Sequence, residues 1–170
     1  MERFQKIIAV FSYGLGCGLY NINEVIELCD NLIEVKDNPP IEIIEASLMT
    51  KSKIDDIEHK LMSIIQLINY GEVTECILGL LYIRLTQEEC SIEHVIRCTA
   101  KILFNTGLCH NKDYYSLYLL EDRYDLYIKG IHLQLDDIFE ILHNKLKEYE
   151  AYGEEFNKLY VEELNSFAIN

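Results

Sequence analysis

Apolar residues recur three and four positions apart along almost the whole chain, which is the spacing of one face of an α-helix. Four stripes are clearest, and their members are Ile22, Val25, Ile26, Cys29, Leu32 and Ile33; Ile54, Ile57, Leu61, Ile64, Ile65 and Ile68; Ile92, Val95, Ile96, Thr99, Ile102 and Leu103; and Leu135, Ile138, Phe139, Leu142, Leu146 and Tyr149. Asn21 or Asn23, Ser52 and Ser91 precede the first three stripes and are favourable helix N-caps. Gly107 marks the end of the third helix.

One further segment is apolar on all sides: CILGLLYI, residues 76 to 83, which predicts a central helix enclosed by the others. Helices near 3–13, 113–129 and 154–168 complete the set, and no alternating segment between turn signals predicts a β-strand. We therefore predict an all-α protein of about seven to nine helices. The length of 170 residues, with 49% hydrophobic and 26% charged residues, favours a single all-helical domain over residues 1–170.

The only two prolines, Pro39 and Pro40, adjoin each other between two apolar stripes. Proline is tolerated in the first turn of a helix, and it keeps the preceding residue out of the α region. The pair therefore predicts the end of a helix at about residue 36 and the start of a short one. In that short helix, the residues expected to face the core are Ile41, Ile44 and Leu48.

The net charge of −14 is the most unusual bulk property of the chain. An acidic surface repels nucleic-acid phosphates and anionic lipid headgroups, so we expect no direct binding to nucleic acid and no membrane association. No stretch reaches the roughly 18 to 20 apolar residues of a membrane span, and the N-terminal segment lacks the pattern of a processed signal peptide. The charge favours a basic protein as the partner.

The six cysteines form no C-x-x-C pair, and several fall on apolar helix stripes. This placement predicts a reduced, buried set in a cytoplasmic protein. The cysteines are Cys17, Cys29, Cys76, Cys90, Cys98 and Cys109.

Two short motifs invite a cofactor or a zinc site. The GLGCG segment at 14–18 lacks the G-x-G-x-x-G spacing, because position 19 is leucine, and it predicts a turn between helices. Cys90, His94 and Cys98 lie one helical turn apart, with Cys109-His110 after a loop, and zinc accepts such ligands. Structural zinc sites have more closely paired ligands, so we predict no cofactor and no metal site.

Two carboxylate–histidine pairs, Asp56 with His59 and Glu140 with His143, leave an enzyme as the alternative. Two Glu-x-x-His helices and two further glutamates build a di-iron site in a helix bundle. Only one pair here has the glutamate, and no glutamate stands on an apolar stripe to complete the site. The alternative function is thus a metal-dependent hydrolase or oxidase that uses these pairs on facing helices. No serine or cysteine lies in a recognisable nucleophile motif.

The segment GLYNINEVIELCDNLIEVKDNPPIEIIEASL, residues 18 to 48, follows a recurring pattern. A glycine turn leads to a helix ending x-D-x-L-I, then to an acidic residue, a Pro-Pro turn and E-I-I-E-x-S-L. The matching residues are Gly18, Ile22, Val25, Ile26, Asp30, Leu32, Ile33, Asp37, Pro39, Pro40, Ile43, Ile44, Ser47 and Leu48. The pattern resembles that of small acidic helical bacterial proteins, the immunity proteins of contact-dependent and other polymorphic toxin systems. The resemblance implies a bacterial, non-enzymatic protein that binds and neutralises a toxin.

The C-terminal third concentrates the features of a partner surface. Residues 113–170 hold 13 acidic and 5 basic residues and eight of the twelve tyrosines. Tyrosine supplies stiff contact area at interfaces, and acidic charge steers a basic partner; alternatively, half of the tyrosines are core and the acids only solubilise. The predicted partner-binding residues are Tyr118, Glu121, Asp122, Asp125, Asp136, Asp137 and Glu140. We expect them to occlude the active site of a basic toxin domain, with a nuclease as the expected toxin.

Overall fold

The computed structural model describes residues 2–131 and 134–165, and these residues form ten α-helices with no β-strand among them. In chain order the helices are α1 (Arg3–Cys17), α2 (Ile22–Val35), α3 (Ile41–Ser47), α4 (Ile54–Met62), α5 (Tyr70–Thr86), α6 (Ile92–Asn105), α7 (Lys112–Tyr118), α8 (Leu120–Ile128), α9 (Leu135–Lys147) and α10 (Glu150–Asn165). Only Leu119 separates α7 from α8. If these two helices are counted as one, the described residues contain nine helices. The predicted all-α class is confirmed.

The helix ends follow from capping residues. The Asn21 side chain accepts a hydrogen bond from the Glu24 backbone N–H at 3.1 Å, and the Glu24 carboxylate accepts one from the Asn21 N–H at 2.7 Å. This reciprocal pair is a capping box, and it fixes the start of α2. Ser91 caps α6 with a single bond, in which its hydroxyl oxygen accepts from the His94 N–H at 3.2 Å. Gly107 follows α6 with φ +73°, as a helix-ending glycine does.

Several predicted helix boundaries differ from the structure. Helix α4 starts after Lys53 rather than Ser52 and ends at Met62, so the end of its predicted apolar stripe is not helical. Helix α1 continues through the predicted turn at 14–18 as far as Cys17, and the chain turns at Gly18, where φ is +95°. The last three residues of the helix predicted over 154–168 lie outside the described part of the chain.

The short helix α3 buries a different face from the one that the pattern predicts. Ile43 and Ala46 are fully buried, whereas Ile41, Ile44 and Leu48 are 59%, 36% and 79% exposed. Pro40 occupies the N-cap position, and α3 packs against both α2 and α4. In a seven-residue helix with apolar residues on several sides, neighbouring helices select the buried face. The expectation that Ile44 faces the core is wrong for this reason.

Contacts divide the described residues into two compact units. The first contains the described residues up to Asn69 and those from Glu155 onwards, and the second contains Tyr70–Glu154. Two such units are compatible with one domain or with two, so the single-domain organisation stays a prediction. Within the first unit, α4 packs on α1. The Phe11 ring there stacks on Tyr20, with ring centroids 4.2 Å apart.

The second unit is built around α5. Residues 76 to 82 of the predicted segment are buried, and Ile83 at its end is only partly buried, so the segment lies in a helix packed on most sides. Its Gly79 lies so close to Gly153 of α10 that a Cβ on either would overlap the other's backbone. Helix α5 also packs against α6 and α9, and α6 contacts α7 and α8. These contacts place α8 and α9, which carry six of the seven predicted partner-binding residues, on the outside of α5 and α6.

The cysteines are buried as predicted, with one exception. None of the six, all of which lie in the described part of the chain, takes part in a disulfide, and Cys90 alone is only half-buried. Burial, with a contribution from the charge of Asp30, raises the pKa of the Cys29 thiol to about 12. Such a thiol stays protonated and unreactive at neutral pH.

Candidate partner-binding surface

The structure places all seven predicted residues on three consecutive helices of the second unit. Tyr118 ends α7, and the six acidic residues lie on α8 and α9, which pack against each other. Two carboxylates in the first turn of α8 and two in the first turn of α9 adjoin the positive end of a helix dipole, a favourable position for negative charge. The six acidic residues are Glu121, Asp122, Asp125, Asp136, Asp137 and Glu140.

Two of the acids on α8 are neutralised within the protein by Arg97 of α6. The guanidinium donates through Nη1 to Glu121 at 3.3 Å, through Nη2 to Asp125 at 3.2 Å and through Nε to Glu93 at 3.1 Å. The Tyr124 hydroxyl donates to the other oxygen of Glu93 at 3.4 Å. Hydrogen bonds to Glu93 and Asp125 raise the pKa of the Arg97 guanidinium above its usual value.

This Arg97 network changes the predicted surface, because Glu121 and Asp125 already have a cationic partner. One local signal was present in the sequence, the i,i+4 spacing of Glu93 and Arg97. The contacts to α8 depend on tertiary packing across more than twenty residues. Tyr118 is half-buried beside this network, where it lines a groove of about 370 Å³ together with Arg97 and the exposed Phe104.

The remaining four acids have no internal partner among residues 2–131 and 134–165. Asp122, Asp136, Asp137 and Glu140 are exposed, and in the described part of the chain none of their side chains makes a hydrogen bond or an ion pair. On α9, Asp136 and Glu140 are four residues apart and therefore neighbours, and like charges at this spacing cost about 0.2–0.5 kcal/mol. These four residues, called the open acidic surface below, are the part of the predicted site that remains available to a cation.

A pocket that the sequence did not predict lies beside α9. It has a volume of about 810 Å³ and is formed by the end of α5, the α5–α6 connection and α9. Leu85, Ile92 and Phe139 supply its apolar lining, and the exposed Glu88 and Glu89 supply carboxylates. Because residues 85–92 and 139–143 are remote in the sequence, no local pattern indicates that they share a cavity.

Glu88 and Glu89 belong to the turn that ends α5, and two backbone hydrogen bonds fix that turn. The Glu88 N–H donates to the Leu85 carbonyl at 3.2 Å, and the Glu89 N–H donates to the Arg84 carbonyl at 2.9 Å. This pair of bonds is a Schellman motif, in which the residue corresponding to Glu88 is usually glycine. Glu88 instead adopts the left-handed conformation with φ +59°, at a cost of about 1 kcal/mol for a residue with a side chain.

His143, at the edge of this pocket, packs between two aromatic rings. Its ring centroid lies 5.2 Å from that of Tyr82 and 5.7 Å from that of Phe139, and its Nε2 is 3.4 Å from the Tyr82 hydroxyl. On α9, Asp136, Phe139, Glu140 and His143 follow the spacing of a single helix face. The pocket therefore adjoins the α9 part of the open acidic surface.

The structure gathers no metal-ligand set in the residues that it describes. No three His, Cys, Asp or Glu side chains come together there in a way that could hold a metal ion. Asp56 and His59 lie on α4 of the first unit, and Glu140 and His143 on α9 of the second. Of the residues considered for zinc, Cys98 lies 3.4 Å from the His94 ring, through Sγ and Nε2.

The tyrosines of the C-terminal third divide between core and surface. Tyr114 is buried and stacks on Tyr149, with ring centroids 6.0 Å apart, and burial raises the pKa of both phenols. Only Tyr115 and Tyr152, at 48% and 40%, are exposed. Most of the tyrosine area is therefore used for packing, and the open surface is mainly carboxylate.

No protein-family model matches the chain, and the comparisons with curated proteins and with solved structures found no match. Within the described residues, no helix is long and apolar enough to span a membrane.

Proposed function

We propose that this chain is an immunity-type protein that binds a cognate basic toxin domain in the bacterial cytoplasm and neutralises it by covering its active site. The observation that carries the proposal is the open acidic surface, four exposed carboxylates on two packed helices with no internal partner in the described part of the chain. Unpaired like charges on neighbouring positions repel each other in the free protein. A cationic partner relieves that repulsion, which favours its binding.

A nuclease is the toxin class that this surface fits best. An enzyme that cleaves nucleic acid needs a groove of Lys and Arg side chains to hold phosphates, and carboxylates fixed on helices can occupy those phosphate positions. The net charge of −14 adds long-range attraction that raises the association rate. Inhibition by occlusion requires no cofactor and no catalytic residue.

The resemblance over residues 18–48 supports the same proposal from another part of the chain. That segment covers α2 and α3 in the first unit, whereas the open acidic surface lies in the second. Asn21 and the residues buried in α2 stabilise helices rather than form the open acidic surface. The resemblance and the surface are therefore independent reasons for an immunity function.

An immunity gene is expected to follow the gene of its toxin. The test is therefore co-expression with the protein encoded immediately upstream, with bacterial growth and co-purification as the readouts. The wild-type chain is expected to restore growth and to co-purify with that protein. The double variant Asp136→Lys with Glu140→Lys is expected to protect poorly while it keeps its helical content. Growth inhibition that the wild-type chain does not relieve, with no co-purification, would contradict the proposal.

The matched control reverses two charges at a site outside the open acidic surface. Glu154 and Glu155 are exposed on α10, so Glu154→Lys with Glu155→Lys changes the net charge by the same amount. Equal loss of protection in both double variants would show that total charge, rather than the α9 carboxylates, determines binding.

A further inference from the structure

The pocket beside α9 combines two kinds of surface that a single side-chain type matches. Phe139 is 38% exposed and Leu85 and Ile92 are apolar, while Glu88 and Glu89 add two carboxylates. Lysine and arginine side chains have a long apolar stem and a charged head. The stem packs against apolar groups, and the head can pair with a carboxylate. An exposed aromatic ring also attracts a cation to its face.

We propose that this pocket anchors a loop of the partner that carries Lys or Arg side chains, with Phe139 contacting the stem and Glu88 and Glu89 pairing with the charged head. The inference rests on the proposed function and names the place where the basic partner is held most firmly. At about 810 Å³ the pocket is of the size that binds small ligands, so it has room for more than one side chain.

The position of the pocket supports a partner protein as its occupant. Asp136 and Glu140 share a face of α9 with Phe139 and His143, so the open acidic surface continues to the edge of the pocket. A basic loop that enters the pocket therefore leaves its flanking residues beside two further carboxylates. Aromatic anchors within an interface contribute most of the binding energy, whereas exposed ion pairs mainly guide the partner.

Cys90 provides a reporter at the site, because it lines the pocket and is the one cysteine that is not fully buried. Iodoacetamide is expected to modify Cys90 in the native protein, slowly, since burial raises the pKa of its thiol. The probe is the capped peptide acetyl-RKRK-amide at low salt. If the pocket holds basic side chains, saturating peptide will slow the modification of Cys90 several-fold.

The pocket variant is Glu88→Gln with Glu89→Gln, and the control is Glu154→Gln with Glu155→Gln, which removes the same charge elsewhere. The pocket variant is expected to raise the dissociation constant of the peptide about tenfold. Phe139→Ala is expected to raise it as well. The control is expected to bind like the wild type. No change in the Cys90 rate with peptide, or equal weakening in both double variants, would overturn the inference.

The same variants separate this inference from the proposed function. If the pocket variant and Phe139→Ala retain wild-type affinity for the upstream-encoded protein, the pocket is not the anchor, although the immunity function stands. If the peptide protects Cys90 and no partner toxin is neutralised, the immunity function fails, and the pocket remains a site for basic segments.

Discussion

Helices α8 and α9 carry similar acidic residues but use them differently. On α8, Glu121 and Asp125 lie within 3.3 Å of the Arg97 guanidinium, which also binds Glu93. On α9, Asp136, Asp137 and Glu140 are exposed, and none has a partner among the described residues. In the free protein, the acids of α8 mainly contribute to structure, and those of α9 are available for binding.

The difference shows why counting charges does not define a binding surface. A carboxylate that is paired internally must lose its partner, or share it, before it can bind a new cation. An unpaired carboxylate on a helix surface loses only water. We therefore expect α9 to dominate recognition and α8 to contribute mainly through Asp122.

The largest expected effect is on affinity, and it separates the two helices. Asp136→Lys with Glu140→Lys replaces two attractive contacts with two repulsive ones, and we expect the dissociation constant of the partner complex to rise about 100-fold. Asp122→Lys on α8 is expected to raise it about tenfold. Titration calorimetry with the purified partner measures the dissociation constants of both variants. A larger effect on α8 than on α9 would reverse the comparison.

Replacing Arg97 should make α8 resemble α9. In Arg97→Met the three carboxylates that surround the guanidinium lose their cation and repel one another, so we expect a lower melting temperature. The decrease should be smaller in high salt, which screens the repulsion. Because Glu121 and Asp125 become unpaired, association with a basic partner should also become faster.

The control for this substitution is Lys101→Met, which removes the same charge from the same helix. Lys101 is exposed, and in the described residues it forms no ion pair. The Lys101→Met substitution should leave the melting temperature nearly unchanged. If Arg97→Met is as stable as Lys101→Met, the Arg97 network does not stabilise the fold.

The smallest expected effect is the change in the free energy of unfolding when Glu88 is replaced. The sign of this change tests whether the backbone at Glu88 is strained. Glycine adopts the left-handed conformation of this position without strain, but it is more flexible in the unfolded chain. Glu88→Gly should therefore raise the free energy of unfolding by up to about 1 kcal/mol, while it weakens binding of the basic peptide. Glu89→Gln removes a carboxylate without relieving strain, so it should weaken peptide binding with no gain in stability. A destabilised Glu88→Gly variant in urea unfolding would contradict the strain at Glu88.

Long helices with one strong stripe could be predicted from the sequence. In α9, Ile138, Leu142 and Leu146 of the predicted stripe are buried, while Phe139 at its edge is 38% exposed. In the short α3 the pattern failed, because its few apolar residues permit more than one buried face and packing on α2 and α4 selected Ile43. Periodicity is reliable only where several turns repeat it.

The candidate site was predictable in composition but not in arrangement. The six acidic residues could be read from the sequence, and their places on α8 and α9 follow from the helical pattern. Their pairing could not, because the partner of Glu121 and Asp125 comes from α6. The pocket depends on the contact between α9 and the end of α5, which involves residues more than fifty positions apart.

The most direct test of electrostatic capture is the association rate with the upstream-encoded protein, the proposed toxin, measured by stopped flow at increasing salt. Steering by exposed charges is screened beyond a Debye length of about 8 Å in physiological salt. The rate for the wild type should fall about tenfold or more between low and high salt. The α9 double reversal should associate slowly under all conditions, and the Glu154→Lys with Glu155→Lys control should retain most of the wild-type rate. A rate that is independent of salt, or equal in the wild type and the α9 variant, would contradict capture by the open acidic surface.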